Sequence, residues 1–210
     1  MGIHERKQRE KDQRRNEIMD AAKKIFSAKG FNRATMEEIA TEAELSPGTL
    51  YLYFKNKEEL HTTLSIAILQ YLTRKIKEVV DKKDMNAMEK LSALKDVFIE
   101  VYEYDSMVLI NLFHLQSGET LKNLSGDLLQ LVKETSSDAL GAITSITQEG
   151  IDEGLFAKNH PVALADIIWA AYSGIVLWVD SKRLLNNEKD FVKQTLDTAF
   201  DLLVKGMAEK

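Results

Sequence analysis

Leu45-Ser46-Pro47-Gly48-Thr49-Leu50-Tyr51-Leu52-Tyr53-Phe54-Lys55-Asn56-Lys57-Glu58-Glu59-Leu60 is the stretch that decides the fold. Ser46 carries a side-chain oxygen suited to an N-cap, and Pro47 follows at the first helical position, where no amide proton is lost. The helix is short and ends near Phe54. Leu50 and Phe54 are four residues apart and share its inner face. Asn56 then caps a further helix, with Glu59 at its third position.

Working outward, a helix over residues 16–29 carries Ile18, Ala21, Ala22, Ile25 and Phe26 on one face, and Gly30 supplies its C-terminal stop. Thr35 and Glu38 form a T-x-x-E capping box before Ile39, Ala40 and Ala43. Glu44-Leu45-Ser46 joins this second helix to the third. The fourth helix continues the stripe through Leu60, Leu64, Ile68, Leu72, Ile76 and Val79 toward Lys83, about 40 Å at 1.5 Å per residue. Amphipathic stretches follow near 86–104, 106–116, 126–153, 161–183 and 188–208. The expectation is all-α: about nine helices, with three small ones and a connector leading into a larger C-terminal bundle. Residues 1–15 read as a basic N-terminal arm, 16–56 as a helix-turn-helix domain, 57–83 as the connector, and 84–210 as a ligand-binding and dimerisation domain.

Composition agrees with this organisation. Of 210 residues 44% are apolar, and only Pro47 and Pro161 interrupt backbone amides. With no cysteine, disulfides and thiolate chemistry are excluded. The first residues are polar, without the apolar core of a signal peptide, so a cytoplasmic location is expected. Residues 162–179 are apolar enough to suggest a membrane span. Asp166 within them makes a buried helix the better reading, with no membrane partner. The formal net charge is −5. Its distribution is uneven: Arg6, Lys7, Arg9, Lys11, Arg14 and Arg15 leave residues 1–15 at +3, whereas residues 61–210 carry −6. Such a split suits a protein that meets nucleic acid with one end.

Two short helices across a tight turn form a helix-turn-helix, whose second helix enters the DNA major groove. Ser46, Gly48 and Thr49 lie at its start. Gly48 permits close backbone approach, and Thr49 offers a hydroxyl and a methyl. Tyr51 and Tyr53 present phenols, and Lys55 and Lys57 add cations. Helical enzymes contain the same shape, so the particular residues must decide. Gly30-Phe31, Ala34-Thr35-Met36, Ile39-Ala40 and the run from Gly48 to Leu60 resemble the TetR/AcrR family of bacterial regulators. The segment Glu149-Gly150-Ile151-Asp152-Glu153-Gly154-Leu155-Phe156 resembles the end of that family's long seventh helix. Two positions depart from the family's habit. Pro47 stands where a basic or polar residue is common, and Leu52 where an aromatic or polar one is.

The resemblance implies a ligand-responsive repressor that binds a palindromic double-stranded DNA operator as a homodimer and is released by a small hydrophobic effector. It puts Thr35 and Lys57 on phosphate, with Ser46, Gly48, Thr49, Tyr51 and Tyr53 facing the groove. It implies half-sites about 34–36 Å apart. It also implies an effector cavity in the C-terminal bundle, for which Met107, Ile110, Phe113, His114, Gln116, Trp169 and Tyr172 are candidates. Lys122 or Lys133 could meet an anionic head group. The last two helices carry apolar residues beyond one face, and the resemblance implies a four-helix dimer interface including Ile168, Ile175, Trp178, Phe191, Leu196, Phe200 and Leu203. No cofactor, metal site or catalytic residue is expected: His4, His61, His114 and His160 are scattered, and His114 reads as a core histidine. A helical enzyme and a purely architectural DNA binder are the alternatives. The first would need a catalytic constellation, and the second would not need an acidic bundle of 150 residues.

Overall fold

The computed structural model describes residues 2–117, 121, 124–186 and 190–208. These form eight helices: α1 (Ile3–Lys29), α2 (Met36–Glu42), α3 (Pro47–Tyr51), α4 (Lys57–Val80), α5 (Ala87–Ser117), α6 (Gly126–Asp152), α7 (Pro161–Asn186) and α8 (Val192–Met207). The chain divides into two compact units, one ending at Ser65 and the other beginning at Ile66.

In the first unit, Ile18, Ala22 and Phe26 of α1 are buried with Ile39 and Ala40 of α2, Leu50 of α3, and Phe54 and Leu60. The expected stripes supply most of this core, with Ile25 and Ala43 only half-buried. Thr35 caps α2, accepting from the Glu38 amide, while the Glu38 carboxylate accepts from the Thr35 amide, both at 3.2 Å. Glu44 makes the turn at φ +55°, a left-handed conformation costing a non-glycine residue roughly 1–2 kcal/mol. The Leu45 amide then reaches back to the Ala40 carbonyl at 2.8 Å. Ser46 caps α3 with Pro47 in its first turn, as the sequence implied.

α1 starts at Ile3, not near residue 16. The basic arm is helical because residues 4–15 are mostly Glu, Lys, Arg and Gln, all good helix formers. Arg6–Glu10 and Gln8–Asp12 bonds at four-residue spacing support it. A stripe-based reading misses such a helix because nearly all of it is exposed and no stripe exists.

In the second unit, α5, α6, α7 and α8 pack on one another. The expected stretches 86–104 and 106–116 are the two limbs of α5, broken at Asp105 (φ −158°, ψ 80°). The Asp105 carboxylate accepts from the Val108 amide at 3.1 Å and so caps the second limb. Beyond α6, Gly154 adopts φ +71°, and the amides of Leu155 and Phe156 both return to the Gly150 carbonyl at 2.9 Å. The fully buried Phe156 ring lies against Gly150, in space that any side chain at that position would occupy. The Ala157 amide then bonds the Met207 carbonyl at 2.8 Å, tying the end of α8 to this turn. Pro161–Arg183 is long and apolar enough to cross a membrane by length and composition. Within the unit, Leu164, Ile168, Tyr172 and Val176 of that helix are buried against its neighbours, while Ile167, Trp178 and Leu185 are exposed.

Candidate nucleic-acid interface

α3 is positioned from below by Leu50 and Phe54, both inside the first unit's core. That leaves Ser46, Pro47, Gly48, Tyr51 and Leu52 exposed together on a five-residue helix and its caps. Tyr51 is 46% exposed and Leu52 82%. Ser46 Oγ accepts from the Thr49 amide at 3.1 Å and shares a 2.8 Å hydrogen bond with the Thr49 hydroxyl. Ser46 is thus a cap first, and it orients the half-buried Thr49. Gly48 has open space around it: an added Cβ would meet only Ser46 Oγ, at 3.9 Å. Thr35 is exposed at the start of α2, and Lys55 is exposed beyond α3, its amide held by Glu59 at 2.8 Å. Tyr53 is half-buried. Hydroxyls, an open glycine, phenols and an exposed cation therefore lie along α3 and its flanks and at the start of α2, and each group type can engage phosphate or base edges.

Lys57 behaves differently from its expected role on phosphate. Its ammonium donates to the carbonyls of Phe31 at 2.8 Å and Ala34 at 3.1 Å, lies 3.5 Å from that of Asn32, and sits 4.5 Å from the Phe31 ring centre. It clasps the α1–α2 loop, and a phosphate contact would compete with these bonds.

The second unit separates the candidate pocket residues. Phe113, Trp169 and Tyr172 come together edge to face, with centroids 5.4–6.4 Å apart. Tyr172 also stacks on Phe98 at 3.9 Å and donates its hydroxyl to the Phe98 carbonyl at 2.9 Å. Ile110 is half-buried. Gln116 donates to Ser136 Oγ at 3.2 Å. Met107 and His114 are exposed, which corrects the reading of His114 as a core histidine; the second limb of α5 turns that position outward. Lys133 is exposed, and Lys122 lies outside the described residues. Nearby, the Tyr102 phenol is pushed up to about 12 by burial and by its hydrogen bond to Asp190.

The expected interface residues also divide. Ile168, Leu196 and Phe200 are buried within their own chain, so they support the surface from below and cannot themselves form it. Ile175 and Leu203 are half-buried. Trp178 at 61% exposure and Phe191 at 44% do face outward, joined by Ile167 and Leu202.

Residues 18–62 match the family model described as bacterial regulatory proteins, tetR family. The match covers the α2–α3 surface and the core beneath it. The chain thus carries a TetR-type DNA-binding domain over residues 18–62. It is accordingly a DNA-binding transcriptional regulator. The chain is 25% identical over 198 residues to the fatty acid metabolism regulator protein of Bacillus subtilis, covering 92% of this chain and 95% of that one. Among solved structures, the TetR family transcriptional regulator PfmR from Thermus thermophilus superposes with a TM-score of 0.74 at 17% identity, covering 91% and 99% of the two chains. The transcriptional regulator FadR from Bacillus subtilis, solved in complex with stearoyl-CoA, gives 0.68 at 24% identity over 91% and 98%. These likenesses establish the fold.

Two features of the chain escape the sequence reading. Arg15, counted there as part of a basic arm, lies 4.3 Å from the Phe54 ring centre and donates to the Tyr53 carbonyl and the Thr63 hydroxyl, each at 3.4 Å. Its signal was its register, three and seven residues before Ile18 and Ala22. The second is a cleft of about 550 Å³ where Gln70, Arg74 and Lys77 of α4 face Glu134 and Asp138 of α6, bridged by Lys77–Asp138 at 2.8 Å. None of the seven candidate pocket residues lines it. Gln70, Arg74 and Lys77 at i, i+4 and i+7 on one face of α4 were its mark.

Proposed function

We propose that this chain is a cytoplasmic, ligand-responsive repressor, a homodimer whose α2–α3 surfaces bind successive major grooves of a palindromic operator and which a long-chain acyl effector releases. The observation that carries the reading is the exposed α3 surface, seated on a buried core and lying wholly within the residues that the TetR model matches. The acyl class is supported by the Bacillus subtilis fatty acid regulator, similar over nearly the whole chain, and by the FadR complex with stearoyl-CoA. The chemistry of the second unit agrees: an acyl chain needs apolar and aromatic walls, which Phe113, Trp169 and Tyr172 supply. Those rings are packed against one another, so a ligand entering among them must displace them. A ligand that favours the displaced arrangement shifts the conformational equilibrium by its difference in affinity. The continuous helix α4, with Lys57 at its start, is the proposed route of that shift to the DNA-binding surface. DNA contact is assigned to Thr35, Gly48, Thr49, Tyr51, Tyr53 and Lys55, with Ser46 orienting Thr49. The role is regulatory rather than enzymatic.

The test is linkage. Stearoyl-CoA added to the protein–operator complex should weaken DNA binding at least tenfold, about 1.4 kcal/mol of coupling, and operator should weaken stearoyl-CoA binding by the same factor. Tight, stoichiometric stearoyl-CoA binding that is equal with and without operator would remove the effector from this account.

A further inference from the structure

Leu52 is the most exposed of the large apolar side chains described, at 82%, yet it sits beside Tyr51 on the surface assigned to DNA. Its backbone is fixed. It caps α3 at φ −72° and ψ −20°, and its amide bonds the Thr49 carbonyl at 3.1 Å. Its neighbours two positions away on either side, Leu50 and Phe54, are fully buried, so the local register that seats those two turns Leu52 outward. A single exposed leucine on a protein surface is ordinary. This one caps a five-residue helix whose other exposed groups, apart from the Pro47 ring, are a hydroxyl, a glycine and a phenol, suited to phosphate or base edges.

An isobutyl group has no hydrogen-bonding atom. It can neither hold a phosphate nor read the donor and acceptor pattern of a base pair. The major groove offers it one complementary feature, the C5-methyl group of thymine. We infer that Leu52 is a specificity-determining residue that packs against a thymine methyl in each operator half-site. The inference rests on the DNA-binding reading above and adds to it a base preference at one position.

The probe is the duplex that the full chain selects from random-sequence DNA. Each thymine in one half-site is replaced in turn by deoxyuridine, which removes the methyl alone. Wild type should lose about fourfold in affinity at one position, the factor corresponding to roughly 0.8 kcal/mol for one buried methyl. Leu52→Ala, a truncation of an exposed side chain, should bind the unsubstituted duplex more weakly and be indifferent to deoxyuridine at that same position. Wild-type indifference to every replacement overturns the inference while leaving DNA binding intact. So does a Leu52→Ala protein that keeps the wild-type sensitivity, or one that changes only its solution mass, which would place Leu52 in a protein contact. If the wild-type chain selects no duplex at all, the DNA-binding reading falls, and this inference with it.

Discussion

Between Ser46 and Thr49 the chain presents only a hydrogen at Gly48, and the protein itself leaves room for more. Gly48→Ala should therefore keep or raise stability, by about 0.5–1 kcal/mol, since alanine is the better helical residue. The same methyl should obstruct close approach of DNA and weaken operator binding about tenfold, on the order of 1.4 kcal/mol. Thermal denaturation beside fluorescence anisotropy checks both, and unchanged DNA affinity would take Gly48 off the interface. Lys57→Ala should behave in the opposite way. It strips an ammonium from the Phe31 and Ala34 carbonyls, so it should cost about 1–2 kcal/mol of stability. The salt dependence of DNA binding should flatten by less than the ~1 unit expected for a lost phosphate contact. A full unit of flattening with stability unchanged would restore Lys57 to phosphate. Caps such as Thr35 and Ser46 were legible in the sequence because their partners lie three residues away. The partners of Lys57 lie 23–26 residues away, and no local pattern announces a loop closure of that length.

Helices declare themselves through their buried faces, and the elements follow that rule in both directions. α2 and α3 start where capping placed them, α3 ending at Tyr51 and not near Phe54, whereas the first thirteen residues of α1 have no stripe and were read as an arm. In α5 the break fell at the right residue, because the apolar pattern is interrupted around Tyr104-Asp105-Ser106, of which Tyr104 is exposed and Asp105 and Ser106 are half-buried. The end of α6 was legible in the segment from Glu149 to Phe156, but the reason for Gly150 was not: it admits a ring from six residues downstream. Gly150→Ala must therefore displace Phe156 or bend α6, and should cost about 1–3 kcal/mol as an overpacked core does. Chemical denaturation measures this directly. A stability equal to wild type would show that the Phe156 turn adapts freely. α7 was expected to carry apolar residues beyond one face, and its own unit buries Leu164, Ile168, Tyr172 and Val176 while leaving Ile167, Trp178 and Leu185 exposed.

At the scale of the molecule, the charge split, the helical class and the DNA-binding end were legible from composition and one motif. The inner members of the proposed interface were not, because apolar periodicity cannot tell a residue buried by its own chain from one buried by a partner. Trp178, Phe191, Ile167 and Leu202 are, with Val162 and Leu185, the exposed large apolar positions on α7, α8 and the cap of α8, and closed twofold association is the commonest way to cover such a surface. Sedimentation at micromolar concentration should give about twice the chain mass of 23.8 kDa. Trp178→Arg should shift it toward the monomer and weaken operator binding with it. A wild-type monomer would contradict the dimer, and a Trp178→Arg dimer of unchanged strength would move the interface elsewhere. The central claim is that this chain reads DNA sequence through α2 and α3. The most direct test is to select duplexes from random-sequence DNA with the full wild-type protein at physiological salt, then compare the selected duplex with a scrambled one of equal length. The account predicts a palindromic sequence bound at least about 10³-fold more tightly than the scramble; no enrichment, or equal affinity for the two duplexes, would contradict it.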